Sequence, residues 1–137
     1  LNTLASGSAI ARAARVRLAD VRRAPSLLDG AAEVTAELVG EAAARGDALA
    51  AAVIDRAARA LGAGIANILN IFNPDRVVLM GGVCGIQDGF IATVAQVARA
   101  RAFGLNGRHA VIATATLGEL TGAFGAAVLA AERRQGR

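Results

Sequence analysis

The fold class of this 137-residue chain follows chiefly from one short segment in its second half. Residues 76–80 (RVVLM) form an apolar run that begins after Asn73, Pro74 and Asp75 and ends at a glycine pair. An apolar, partly β-branched run with turn residues at both ends is typical of a central strand in a parallel sheet. Parallel strands need a crossover connection, usually a helix, so the segment predicts an α/β fold.

Helical patterns lie on both sides of that strand. Apolar spacing predicts helices over residues 9–19, 35–44, 47–71, 90–102 and 120–133, and a second strand over residues 110–114. From Leu61 onward the longest helix is apolar nearly all round, and Gly62, Gly64 and Ala66 leave room for another backbone. Two parallel strands need neighbours in a sheet. We therefore expect a C-terminal piece of a larger α/β protein, or a domain completed by another chain.

Composition excludes several classes of protein. Hydrophobic residues make up 55% of the chain, which is too apolar for disorder. The single cysteine, Cys84, excludes a disulfide scaffold and fits a reducing cytoplasm. The longest uncharged run, residues 60–74, is shorter than the roughly 18–20 residues of a membrane helix, so no membrane partner is expected. The net charge is +4, but the arginines occur singly or in pairs, which favours solvated helix faces over a nucleic-acid site.

The glycine pair Gly81-Gly82 is the main candidate for a ligand site. In open α/β sheets, ligands bind beyond the carboxyl ends of the strands, and bare glycines let a backbone approach a phosphate or nucleoside. A glycine pair after a strand is also often a simple turn. The chain contains no lysine and therefore no Walker phosphate loop. From the residues alone, ligand contact and a plain turn both stay open.

Other chemistry-bearing residues have structural explanations. We expect His109 to be structural or solvent-facing, and Cys84, which has no base beside it, to be a small packed thiol. One cysteine and one histidine are too few for a zinc site. The carboxylates near predicted element ends are expected to act as caps: Asp47, Asp55, Asp75, Asp88 and Glu119. A catalytic base among them stays open, since the spacing selects none.

Several stretches together resemble the C-terminal half of the ROK family of bacterial sugar kinases and sugar-responsive repressors. They are residues 1–10 (LNTLASGSAI), the A-x-x-G-D pattern at residues 43–47, residues 61–67 (LGAGIAN), residues 73–83 (NPDRVVLMGGV) and residues 117–130 (LGELTGAFGAAVLA). The resemblance implies an actin-like, ribonuclease-H-like fold with two lobes around a cleft. Residues 1–137 would be the C-terminal lobe, without the N-terminal lobe and the family's zinc-binding cysteine motif.

For function, the resemblance implies transfer of the γ-phosphate of ATP, with Mg²⁺, to a hydroxyl of a hexose in the cytoplasm. Gly81, Gly82 and Val83 would lie along the nucleotide. Asn2 stands where the family usually has a sugar-contacting glutamate, and Met80 replaces a third glycine often found before the pair. The catalytic aspartate, the phosphate loop and any structural zinc would belong to upstream residues, so we expect the isolated chain to be inactive. The resemblance also implies a homo-oligomer.

Three functional hypotheses follow from these residues. The segments 83–90 and 92–102 are slightly closer to the kinase branch and favour a glucokinase-like enzyme. The first alternative is the effector-binding domain of a ROK transcriptional repressor, which would bind nucleic acid through an upstream helix-turn-helix. The second alternative is a fragment with only a structural or dimerising role. An upstream D-x-G phosphate loop would indicate the kinase, and an upstream helix-turn-helix the repressor.

Overall fold

The computed structural model describes residues 1–104, 109–116 and 121–135. Its elements are α1 (Asn2–Ala5), α2 (Gly7–Leu18), α3 (Ala36–Ala44), α4 (Ala48–Phe72), β1 (Arg76–Leu79), a 3-10 turn (Gly82–Gly85), α5 (Phe90–Arg101), β2 (Val111–Thr114) and α6 (Thr121–Gln135). The predicted helices and strands are confirmed to within about two residues at the ends that the structure describes. The short helix α1 was not predicted, and the predicted start of the last helix at Leu120 lies outside the described residues.

Polar residues set the helix ends. The Ser6 hydroxyl accepts a 3.2 Å hydrogen bond from the Ala9 amide at the start of α2, which confirms a predicted cap. The Thr35 hydroxyl does the same for the Leu38 amide at the start of α3, also at 3.2 Å. Helix α4 ends at Asn73, whose φ of 44° is a left-handed conformation that asparagine tolerates better than most residues.

The hydrophobic core lies where α4 packs against α2, α3 and α5. Its largest fully buried side chains are Ile10, Leu28, Val39, Ile65, Leu69 and Val94. At Gly62, α4 approaches α5 so closely that an added Cβ would lie 2.7 Å from the Val94 carbonyl oxygen and 2.8 Å from the Val97 Cβ. The predicted close approach of another backbone is therefore confirmed at Gly62.

The two strands form a parallel pair, as predicted, with residues 76–79 opposite residues 111–114. Val77 faces the helices and packs against the core. On the other face Val78 is 53% and Val111 is 44% exposed. In the described part of the chain, helices therefore cover only one face of the sheet, and the prediction that the strands need further neighbours stays a prediction.

Helix α6 exposes its apolar side chains: Phe124, Val128 and Leu129 are 52%, 55% and 63% exposed. A Cβ added to Gly122 or Gly125 would meet no heavy atom within 4 Å, so the small residues of α6 make no tight contact with the described residues. No helix in the described ranges combines the length and the apolar character needed to cross a bilayer.

Asp47 is a buried carboxylate that ties the loop after α2 to the start of α4. Its Oδ1 accepts a hydrogen bond from the Ala50 amide at 2.8 Å, and its Oδ2 accepts from the Leu27 amide at 2.6 Å and the Ser26 hydroxyl at 2.8 Å. Burial alone would raise the pKa of Asp47, but these hydrogen bonds stabilise the ionised form more strongly, and the pKa is lowered. The predicted cap is confirmed here.

The remaining carboxylates behave differently. The prediction is wrong for Asp55, which lies inside α4 and pairs with Arg59 at 2.7 Å, one turn further on. Neither Asp75 nor Asp88 caps a helix with its side chain in the described part of the chain. Glu119 lies outside the described residues.

Replacing Asp47 with asparagine should lower the free energy of unfolding by about 1 kcal/mol at neutral pH, since an amide cannot accept all three hydrogen bonds. Because the folded-state pKa of Asp47 is lowered, its stabilising effect is present above the ordinary aspartate value of about 3.9 and is lost as the pH falls through the folded-state value. Urea unfolding between neutral and acidic pH measures both effects.

The matched control is Asp88→Asn, which removes the same charge from an exposed residue before α5. It should leave the free energy of unfolding unchanged. If the Asp47 and Asp88 variants lose stability equally, the loss comes from the change in net charge, and the proposed effect of the Asp47 hydrogen bonds is refuted.

Candidate functional site

The loop at residues 81–85 lies at the carboxyl end of β1. Gly81 has a φ of +104°, a conformation that side-chain-bearing residues rarely adopt, so this position requires glycine. The 3-10 turn that follows is closed by a 3.0 Å hydrogen bond from the Cys84 amide to the Gly81 carbonyl. Ile86 then packs directly against Gly40 of α3, where any side chain would collide with it. The helical layer thus holds the far end of the loop.

One side of this loop borders a cavity of about 340 Å³, here called the strand-end cavity. Its walls are Leu79, Met80, Gly81, Gly82, Cys84, Gly85, Thr114 and Ala115. Thr114 is the last residue of β2, and Ala115 follows it. Both residues reach this cavity because neighbouring parallel strands end at the same edge of a sheet. A Cβ added to Gly82 would meet no heavy atom within 4 Å. Bare main chain therefore forms much of the wall.

The loop also borders a second cavity, of about 290 Å³, here called the helix-side cavity. Val83 lines this cavity but not the strand-end cavity, whereas Gly81 and Gly82 line both. Ser6 of the α1–α2 junction and Phe90 of α5 are also in its wall. The three residues predicted at the nucleotide therefore lie together at the border of two cavities.

Asn2, the predicted sugar contact, lies in α1 and is exposed. It lines neither cavity, but its carbonyl oxygen accepts a 2.6 Å hydrogen bond from the hydroxyl of Ser6, which does line the helix-side cavity. A single hydrogen bond therefore joins the backbone of Asn2 to a residue in the wall of that cavity.

No charged side chain lines either cavity in the described part of the chain. Mg²⁺ is held by oxygen ligands, usually one or two carboxylates together with substrate phosphates. The cavity walls offer no carboxylate, so they do not fit a protein-held Mg²⁺. Within the described ranges no three His, Cys, Asp or Glu side chains come close enough to hold a metal such as zinc.

Cys84 is only partly buried and lines both cavities, so the prediction of a packed thiol is wrong in its degree of burial. Burial raises the pKa of the Cys84 thiol, which keeps it protonated and weakly nucleophilic at neutral pH. His109 is exposed, which agrees with the solvent-facing alternative of the prediction.

Sequence reasoning predicted only residues 81–83 at a ligand and missed the rest of the two cavity walls, of which four residues are instructive. Thr114 and Ala115 were within reach of the sequence, since the ends of neighbouring parallel strands meet at one edge. Ser6 was predicted only as a helix cap, and Leu61 only as part of an apolar helix; their place in the helix-side cavity depends on how α1, α2 and α4 pack.

A glycine loop at the carboxyl ends of parallel strands, packed on a helical layer, is the arrangement of an open α/β ligand-binding fold. Comparison with solved structures assigns it more closely to the actin-like fold of sugar kinases. The ROK family model matches residues 1–133, and the chain belongs to the ROK family.

Three relatives illustrate the likeness. A glucokinase of Halalkalibacterium halodurans is 35% identical over 127 residues, which are 91% of this chain and 38% of that protein. A ROK family glucokinase from Streptomyces griseus, solved in complex with glucose and AMPPNP, is 32% identical with a TM-score of 0.78, over 93% of this chain and 43% of that one. A ROK family transcriptional regulator, a homologue of the E. coli MLC protein, is 30% identical with a TM-score of 0.71, over 82% of this chain and 28% of that one. The chain thus spans less than half the length of each.

Proposed function

We propose that this chain is the C-terminal lobe of a cytoplasmic, ATP-dependent hexose kinase resembling glucokinase, and that it supplies the nucleotide side of the cleft. The observation that carries the proposal is the bare backbone of Gly81 and Gly82 between two cavities, with Val83 beside it. The likeness to a glucokinase that was solved with glucose and AMPPNP supports the same assignment.

The chemistry of phosphoryl transfer fits a lobe without charged side chains in the two cavities at the glycine loop. Catalysis of this reaction consists mainly of positioning and of stabilising charge. The loop at residues 81–85 would position the nucleotide through main-chain contacts, since glycine allows the closest approach of a ligand. The proton-accepting base and the groups around Mg²⁺ would come from a second lobe, which corresponds to the part of the related kinases that this chain does not match. We therefore propose that the chain alone transfers no phosphate.

Asn2 is proposed as a sugar contact. Its side chain carries one acceptor oxygen and two N–H donors, all of which suit hydroxyl groups. The hydrogen bond from the Ser6 hydroxyl fixes the Asn2 backbone next to the helix-side cavity.

We also propose a homo-oligomer, since Ile71 and Phe72 at the end of α4 are 72% and 74% exposed.

The repressor alternative rests on the likeness to the ROK transcriptional regulator, which covers less of this chain and has the lower TM-score of the two solved relatives. As part of a repressor, the fold would bind a sugar effector without transferring phosphate, and nucleic acid would be a partner of the whole protein. The two hypotheses differ in whether the glycine loop responds to a nucleotide.

An AMPPNP titration followed by two-dimensional amide NMR tests the kinase assignment. We expect shifts of the Gly81, Gly82 and Cys84 amides and of Thr114, because these residues surround the strand-end cavity. Glucose added alone is the comparison. A response to glucose with none to AMPPNP would favour the repressor, and AMPPNP shifts confined to other parts of the chain would refute the proposed nucleotide wall.

A further inference from the structure

A third cavity, of about 210 Å³, lies between α1, α2 and α4 and shares no lining residue with the two cavities at the glycine loop. Three arginines line it: Arg12 and Arg17 from α2 and Arg56 from α4. It is smaller than the roughly 300–1,000 Å³ cavities that hold drug-sized ligands, so it suits a small molecule. We call it the arginine cavity.

The positive charge of the arginine cavity is not balanced locally. No carboxylate lines it, and residues 1–19 contain no aspartate or glutamate. Asp55, which precedes Arg56 in α4, is bonded to Arg59 instead. Asp20, which shares a neighbouring cavity with Arg17, accepts a hydrogen bond from the Arg22 amide at 2.9 Å. Asp55 is therefore neutralised by Arg59, whereas the neutral Arg22 amide leaves the charge of Asp20 in place in the neighbouring cavity, against three arginines in the wall of the arginine cavity.

Part of the arginine cavity is held in place by contacts within the chain. One guanidinium nitrogen of Arg12 donates a 2.7 Å hydrogen bond to the Thr3 carbonyl, which orients the side chain and leaves its other N–H groups available. The floor contains Ile10 and Val53, which are 1% and 2% exposed. Arg17 is half-buried, whereas Arg12 and Arg56 are exposed. The buried apolar residues therefore strengthen the attraction between the guanidinium groups and an anion on one side only, and solvent screens it on the other.

We propose that the arginine cavity binds the phosphate group of a small phosphate monoester. A guanidinium presents its N–H groups in a planar fork that matches two phosphate oxygens, and three of them match the dianion of a monoester. Leu4 and Val16, which also line the cavity, leave an apolar rim for the carbon skeleton of the ester. The proposal does not depend on the nucleotide role of the glycine loop.

Amide NMR titrations of the 137-residue chain with inorganic phosphate and with glycerol 3-phosphate, at fixed ionic strength, test the proposal. Saturable shifts are expected at Thr3, Leu4, Arg12, Arg17 and Arg56, and the ester should bind at least as tightly as phosphate. Shifts confined to the loop at residues 81–85, or no saturation up to about 10 mM of either probe, would overturn the proposal. Binding of phosphate with exclusion of the ester would overturn it too.

The double variant Arg17→Gln/Arg56→Gln should weaken binding of both probes at least about tenfold. Neither side chain makes a hydrogen bond in the described part of the chain, so the fold should persist. The matched control, Arg99→Gln/Arg101→Gln, removes two exposed charges from the end of α5 and should change the affinity less than about twofold. Equal losses in both double variants would reduce the effect to net charge and overturn the proposed site.

Discussion

Replacing Gly82 with valine should lower the affinity of the chain for AMPPNP at least about tenfold and leave the midpoint of thermal unfolding unchanged. The structure separates these two effects, because a Cβ at this position meets no heavy atom within 4 Å. The new side chain would project into open space beside the loop rather than into the core, and so would occupy the room assigned to the proposed nucleotide. Isothermal titration calorimetry measures the affinity, and differential scanning calorimetry the stability.

A size series at the same position provides the control. Gly82→Ala adds one carbon and should weaken binding less than Gly82→Val does. Gly81 is unsuitable as a control, since its φ of +104° strains any side-chain-bearing residue and would mix loss of stability with loss of affinity. An unchanged AMPPNP affinity in a folded Gly82→Val variant would contradict the nucleotide wall.

A second large effect is expected at Gly62, where alanine should lower the free energy of unfolding by about 1–2 kcal/mol. The added Cβ would lie 2.7 Å from the Val94 carbonyl oxygen, so α4 and α5 would have to move apart. Overpacking of this kind costs about 1–3 kcal/mol, and the gain in helix propensity from glycine to alanine returns only about 1 kcal/mol. Since part of the close contact is backbone, rotation of a side chain cannot relieve it.

Gly64→Ala is the matched control on the same helix. The nearest neighbour of an added Cβ there is the side chain of Leu1, which is 55% exposed and can turn away. Alanine at position 64 should therefore leave stability unchanged or raise it by up to about 1 kcal/mol. Urea denaturation of the two variants checks the pair, and equal stabilities would show that α4 and α5 are not held at the close distance seen at Gly62.

Features that depend on neighbours in sequence could be predicted from the chain alone. Ser6, Thr35 and Asp47 cap helices because a short polar side chain reaches an amide only three residues away. The strand over residues 76–80 and the glycine pair after it were equally readable, since a short apolar run between turn residues has few alternatives. The position of the candidate site followed from the same pattern.

Features that depend on packing could not be predicted. Helix α1 is only four residues long, and the Ser6 hydroxyl closes it by bonding back to Asn2. The sequence showed that Gly62 needed a close neighbour but not that the neighbour was Val94, because the contact joins residues far apart in the chain. Asp55 looked like a cap, yet its partner is Arg59 on the exposed side of α4.

The length of α4 has a mechanical consequence for any ligand of this chain. Its 25 residues extend about 37 Å without a proline. Arg56 in the arginine cavity and Leu61 in the helix-side cavity belong to this one stiff rod, less than two turns apart. A ligand that tilts α4 at the arginine cavity must also move Leu61 in the helix-side cavity. Binding in one cavity would therefore affect binding in the other through the movement of a single helix.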